Sequence, residues 1–158
     1  MQNLKRDSES NVLIQMFILQ ETPIDLQYAR NICQNPANGA LTSFEGIVRA
    51  DKHNEARVSE LLYLADQEAC MSEGGKIIKE ALSQFSLTDA VCIQRIGQIK
   101  VGEAAVWIGV WAPHRDEAFK GCRYIIEEIK KRLLIWKKEF YNDGSNSWIH
   151  GSENPIIF

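Results

Sequence analysis

The sequence predicts a mixed α+β domain, a largely antiparallel sheet packed with helices, and three observations carry that reading. The chain has 158 residues, 45% hydrophobic and 25% charged, an ordinary globular balance. Short apolar runs alternate with turn signals along its length, while two longer segments suit helices. No internal repeat, low-complexity stretch or Pro/Gly/Ser-rich linker divides it, so a single domain over 1–158 is expected, with polar tails at about 1–10 and about 149–158.

Val12 to Leu19 reads as a buried strand, and Thr22 with Pro23 as the cap and first position of a short helix reaching about Cys33. NPANG then makes a turn, and Ala40 to Arg49 a strand that ends in a polar, mobile loop, ADKHNEA. Val58 to Ala65 is the next strand, and Gln67 to Phe85 a helix weakened by Gly74 and Gly75. Ala90 to Ile96 and Ala104 to Trp111 read as paired strands, with GQIKVGE between them as a hairpin turn. In the last helix Phe119, Cys122, Ile126, Ile129, Leu133 and Trp136 recur every three or four residues, an apolar stripe for lying on a sheet. Arg123, Lys130 and Lys137 would line one edge of that helix if it runs so far. Leu134 to Phe140 can equally be a strand, with Trp136 and Lys138 on one side and Lys137 and Glu139 on the other.

The charge is unevenly spread. The net charge of −3 argues against a general polyanion binder. From His114 to Glu139, however, eight basic residues stand against five acidic ones, leaving +3 there and −6 elsewhere. Nucleic-acid binding through this segment is a weak reading, because no aromatic stacking platform accompanies it. The apolar run NVLIQMFIL is too brief to cross a bilayer and lacks a small-residue cleavage site, so a cytoplasmic protein without membrane association is expected. Cys33, Cys70, Cys92 and Cys122 form no CxxC pair and have no neighbouring His to complete a zinc set, so no metal is expected and the cysteines read as structural thiols.

Three segments taken in order, FEGIVR (Phe44 to Arg49), RIGQIKVGE with a strand and then APHRDEAFKGCRY (Arg95 to Tyr124), and IKKRLLIWKKE (Ile129 to Glu139) followed by Trp148, carry a family resemblance. Together they resemble the family of large, catalytic subunits of molybdopterin synthase. The resemblance implies an α/β-hammerhead-like fold and a sulfurtransferase that converts cyclic pyranopterin monophosphate to the dithiolene of molybdopterin. It implies sulfur delivered twice, as the C-terminal Gly-Gly thiocarboxylate of a small ubiquitin-like subunit. It implies a homodimer of large subunits at the centre of a heterotetramer, with each site completed across the dimer and no metal or nucleotide cofactor.

The residues supply a compatible chemistry. A substrate phosphate calls for fixed cations, and Arg49, His114 and Arg115 are the candidates, arginine offering a fork of donors matched to phosphate oxygens. Sulfur loading needs proton movement and charge stabilisation, which suit Lys130 and Lys137, since a lysine crowded by cations yields its neutral amine more readily. By resemblance Lys130 is the catalytic lysine and Lys137 the second pocket lysine. Lys138 and Glu139 complete the substrate-contacting stretch, and Ile47 and Val48 offer backbone contacts beside Arg49. The plain readings of the same residues are a solvated basic helix end for Lys130, Lys131 and Arg132, a strand terminus for Arg49, and core or interface aromatics for Trp107, Trp111 and Trp136.

Two departures from the family pattern stand out. Leu134 replaces a usual proline, leaving the helix-to-strand break unenforced, and Leu64 and Asp66 replace a glutamate and a second tyrosine near Tyr63. They motivate an alternative reading, a catalytically inactive relative that keeps only the binding surface for the ubiquitin-like partner.

Overall fold

The computed structural model describes residues 15–149, so the expected N-terminal tail, the start of the first expected strand and all but the first residue of the C-terminal tail lie outside them. In chain order the elements are β1 (Gln15–Gln20), α1 (Leu26–Arg30), β2 (Ala40–Ile47), β3 (Lys52–His53), β4 (Ala56–Ala65), α2 (Gln67–Gln84), β5 (Asp89–Arg95), β6 (Gly97–Lys100), β7 (Ala104–Ala112), α3 (Arg115–Arg132), β8 (Ile135–Tyr141) and β9 (Asn146–Ile149). This is the expected α+β class. One sheet runs β1-β5-β7-β2 and the other β3-β4-β8-β9, with β6 also bonded to β4. Pairing is antiparallel throughout except between β1 and β5.

β5 and β7 are near-continuous apolar runs because both faces of their sheet are covered. Val91, Ile93, Trp107 and Trp111 pack with Ala29 and Cys33 on the α1 side. Ala90, Cys92, Val106, Ile108 and Val110 join Ile77, Ile78, Ile125 and Ile129 of α2 and α3 in the main core. Gly74, which as a glycine should weaken α2, is required by packing: a Cβ there would strike the Phe17 ring.

Four expectations need correction. The cap of α1 is Asp25, whose carboxylate accepts from Tyr28 N at 2.9 Å, and the helix is one short turn and not a run from Thr22 to Cys33. Part of the expected loop after β2 is the two-residue β3, hairpinned onto β4 through Asn54 at φ 55°. GQIK is not a turn but the strand β6, its partner β4 lying far back in the chain. α3 stops at Arg132, and its buried face is Ala118, Gly121, Cys122, Ile125 and Ile129, whereas Phe119 is 61% exposed and Trp136 47% exposed.

The break between α3 and β8 is made by tertiary contacts instead of a proline. Leu133 leaves the helical region at φ −79° and ψ 137°, with its side chain fully buried. The Leu134 carbonyl then accepts from Asp66 N at 3.1 Å and from the Cys70 thiol at 3.4 Å, at the start of α2. The strand alternative for Leu134 to Phe140 is therefore the one realised, and Lys137 does not share a helical edge with Arg123 and Lys130.

Candidate active site

β2 and β8 belong to different sheets, and the last turn of α3 bridges them. β2 pairs regularly with β7 until a register shift between Gly46 and Ile47, a bulge that re-aims the chain at Ile47, Val48 and Arg49. Val48 is then clamped to the β6–β7 turn, donating to Glu103 O at 3.1 Å and accepting from Gly102 N at 2.9 Å. That turn is braced by Arg95, which is buried and pairs with Glu103 while donating to Glu21 O and Gln98 O. The two ends of RIGQIKVGE thus grip each other to hold the strand end that carries Arg49.

Opposite this strand end, β8 follows its alternation. Lys137 lies across from Tyr63, and Glu139 across from Leu61, so these four side chains share one face. With Lys130 from the last turn of α3, they line a cavity of about 240 Å³ together with Phe44, Glu45, Gly46, Ile47, Val48, Arg49 and Asp51. Six of the residues expected at the site, Ile47, Val48, Arg49, Lys130, Lys137 and Glu139, therefore meet in one place from three distant stretches of chain.

Burial is the main reason that the Lys137 ammonium is held below its ordinary pKa, with Arg49 and Lys130 pushing the same way and Glu139 and Asp51 opposing. Buried Tyr63 is pushed the other way, its hydroxyl kept protonated first by burial and then by the Glu139 charge. Arg49 is mostly exposed, 3.2 Å from Asp51, so its fork stands at the cavity mouth. The lining charges balance, with Arg49, Lys130 and Lys137 against Glu45, Asp51 and Glu139. On its own, the cavity of one chain is not a strong phosphate trap.

Three expected residues lie elsewhere. His114 caps α3 and Arg115 opens it, fifteen residues before Lys130, which is roughly 22 Å along a helix. Lys138 points to the other face of β8, its amine 5.4 Å from the rings of both Phe140 and Trp148. Val48 also departs from expectation, because its amide is already bonded to Glu103. The remaining cations of the basic segment are mostly neutralised locally: Lys120 by Asp116, Arg123 by Glu127, and Arg132 by Glu73, Glu80 and Glu128. The cysteines are buried, with Cys122 pushed up to about 11 by that burial, a poor state for a nucleophile.

The profile of the MoaE protein family matches residues 19–132. The chain belongs to this family. It is 40% identical over 136 residues to the molybdopterin synthase catalytic subunit of Synechococcus elongatus, covering 85% of this chain and 81% of that one. With the subunit of the same name from Thermoplasma volcanium it shares 39% identity over 126 residues, 80% of this chain and 89% of the relative. The crystal structure of molybdopterin synthase from Staphylococcus aureus superposes with a TM-score of 0.79 at 29% identity, covering 85% of this chain and 97% of that chain.

Sequence reasoning did not single out Asp51 or Tyr63 as members of the site. Asp51 stood in a stretch read only as a loop. Tyr63 could have been found by register: once β8 is a strand with Lys137 inward, its antiparallel neighbour must present a residue on the same face.

Proposed function

We propose that this chain is the catalytic subunit of a molybdopterin synthase, a sulfurtransferase of molybdenum cofactor biosynthesis that converts cyclic pyranopterin monophosphate to molybdopterin. The observation that carries the reading is the convergence of Arg49, Lys130, Lys137 and Glu139 on one cavity. The family membership and the names of the relatives support it. A subunit called catalytic has a companion. That companion is a small ubiquitin-like carrier whose C-terminal Gly-Gly thiocarboxylate enters the cavity and bonds its sulfur to the pterin; water then cleaves the acyl–sulfur bond and supplies the second oxygen with which the carrier departs as carboxylate. Two deliveries build the dithiolene.

Each residue has a role that its setting favours. Lys130 is the catalytic lysine beside the acyl tail, where a charged amine offsets the oxygen charge that develops as sulfur leaves. Lys137, kept below its ordinary pKa, supplies a neutral amine that takes a proton from the substrate. Glu139 faces Lys137 from the same strand face and balances the ammonium once formed. Arg49 holds the phosphate at the mouth.

The balanced charge of the lining explains why a second copy is needed. A dimer of large subunits brings His114 and Arg115 of the other copy to the mouth, adding the cations that one chain places at the far end of its own α3. The cysteine thiols fit a cytoplasmic setting. No described helix is long and apolar enough to cross a membrane. Reconstitution with thiocarboxylated carrier and precursor should yield the dithiolene product. Lys130→Ala should lower turnover by at least about a hundredfold with an unchanged melting temperature. Absence of product with an authentic carrier overturns the reading, and a near-normal Lys130→Ala rate overturns the role of that lysine.

A further inference from the structure

Behind Glu139 a second layer of hydrogen bonds reaches away from the cavity. Tyr141 lies two residues further along β8, on the same face as Glu139, and is buried. Its hydroxyl donates to Glu139 Oε2 at 2.8 Å. That commits its only proton, so in the 2.7 Å contact with Ser147 Oγ the serine is the donor. Ser147 sits on β9 directly across from Glu139 in the strand register. Two donors therefore stand in series, serine to tyrosine to carboxylate, each polarising the next. The Tyr141 ring is fixed in turn by His53, stacked at 4.6 Å between centroids and 12° between planes. His53, Tyr141 and Ser147 line a separate polar cavity of about 480 Å³ between the β3–β4 and β8–β9 turns.

A glutamate on a partly exposed strand has several rotamers, and only some direct its charge at Lys137. We propose that Tyr141 is a positioning residue for sulfur insertion, holding the Glu139 carboxylate in place, with Ser147 orienting the Tyr141 hydroxyl. The proposal rests on the reading of the cavity as the site of sulfur transfer. The charged and titratable groups around Glu139 in that cavity are Glu45, Arg49, Asp51, Tyr63, Lys130 and Lys137. Those in the cavity on the other side of Tyr141 are His53, Glu55 and Asp143.

Tyr141→Phe keeps the ring and its stack on His53 and removes only the hydroxyl, the donor to Glu139 and the acceptor from Ser147. In the reconstituted enzyme, with thiocarboxylated carrier and precursor, kcat should fall roughly tenfold or more, the loss expected for a hydrogen bond to a charged group, with a smaller change in KM. The acid limb of the pH–rate profile should move to lower pH, because a Glu139 charge no longer aimed at Lys137 opposes deprotonation of that ammonium less. In a Glu139→Gln background the same change should cost less than about twofold, since the two residues act as one unit. Ser147→Ala should give a smaller loss with the same shift of the acid limb, and it decides the matter should Tyr141→Phe melt far below wild type. If wild type gives no product, the reading of the site fails first. If wild type turns over and Tyr141→Phe, or Ser147→Ala where that variant decides, matches it in rate and pH profile, the positioning role is overturned. Equal losses from Tyr141→Phe in the wild-type and Glu139→Gln backgrounds overturn it too.

Discussion

Lys137 concentrates the chemistry of the site in one side chain, and its environment sets a cost on its charge. A lysine held below its ordinary pKa in the fold binds its proton more weakly than in the unfolded chain, where the value is about 10.4. The penalty is full below the folded pKa and is relieved as pH rises through the window up to the unfolded value. Lys137→Met should therefore raise the melting temperature at neutral pH while lowering turnover at least about a hundredfold, a trade that thermal melts and product assays read together. In wild type the rate should rise with pH with a midpoint below the ordinary lysine value. Glu139→Gln should move that midpoint down, by removing an opposing charge, and Arg49→Ala should move it up, by removing a like one. Shifts in the reverse directions would show that Lys137 is not the group titrating.

At the scale of elements, the joint between α3 and β8 decides where Lys137 points. Leu133 already has the extended ψ of 137° that a following proline requires, and the Leu134 side chain is exposed. Leu134→Pro should then be neutral or stabilising by up to about 1 kcal/mol, measured by denaturant unfolding, with turnover retained. A loss of several kcal/mol would mean that the joint needs an amide there. This joint also marks the limit of what was legible in the sequence. The runs that became β2, β4 and α2 could be read from local pattern because burial gives them a clear period, and β5 and β7 because they are continuous apolar runs buried on both faces. The end of α3 could not, since its stop signal is a carbonyl captured by Asp66 and Cys70, more than sixty residues away. β6 was hidden for the same reason, its glycines marking a strand edge whose partner lies far back in the chain. Arg49, Lys130, Lys137 and Glu139 were legible through ordered motifs, whereas the separation of His114 and Arg115 from them follows only from the length and direction of α3.

For the whole molecule, the distance along α3 becomes an argument about assembly. Cations from two ends of one helix serve one phosphate only if two chains share each site. Mixing Lys130→Ala chains with Arg115→Ala chains, each inactive alone, should restore about a quarter of wild-type turnover, because random pairing puts one intact site in half of the dimers. A mixture no better than its parents would place the whole site within one chain and leave His114 and Arg115 without a role in it.

The contact between Cys70 and the Leu134 carbonyl has a practical consequence. The thiol is fully buried, with its pKa raised chiefly by that burial, and it sits where the first turn of α2 seals the joint. It reacts with an alkylating reagent only when the seal opens. Its labelling rate, separated from those of the other buried thiols by mass spectrometry, is thus a native stopwatch for the one local fluctuation that would carry Lys137 out of register.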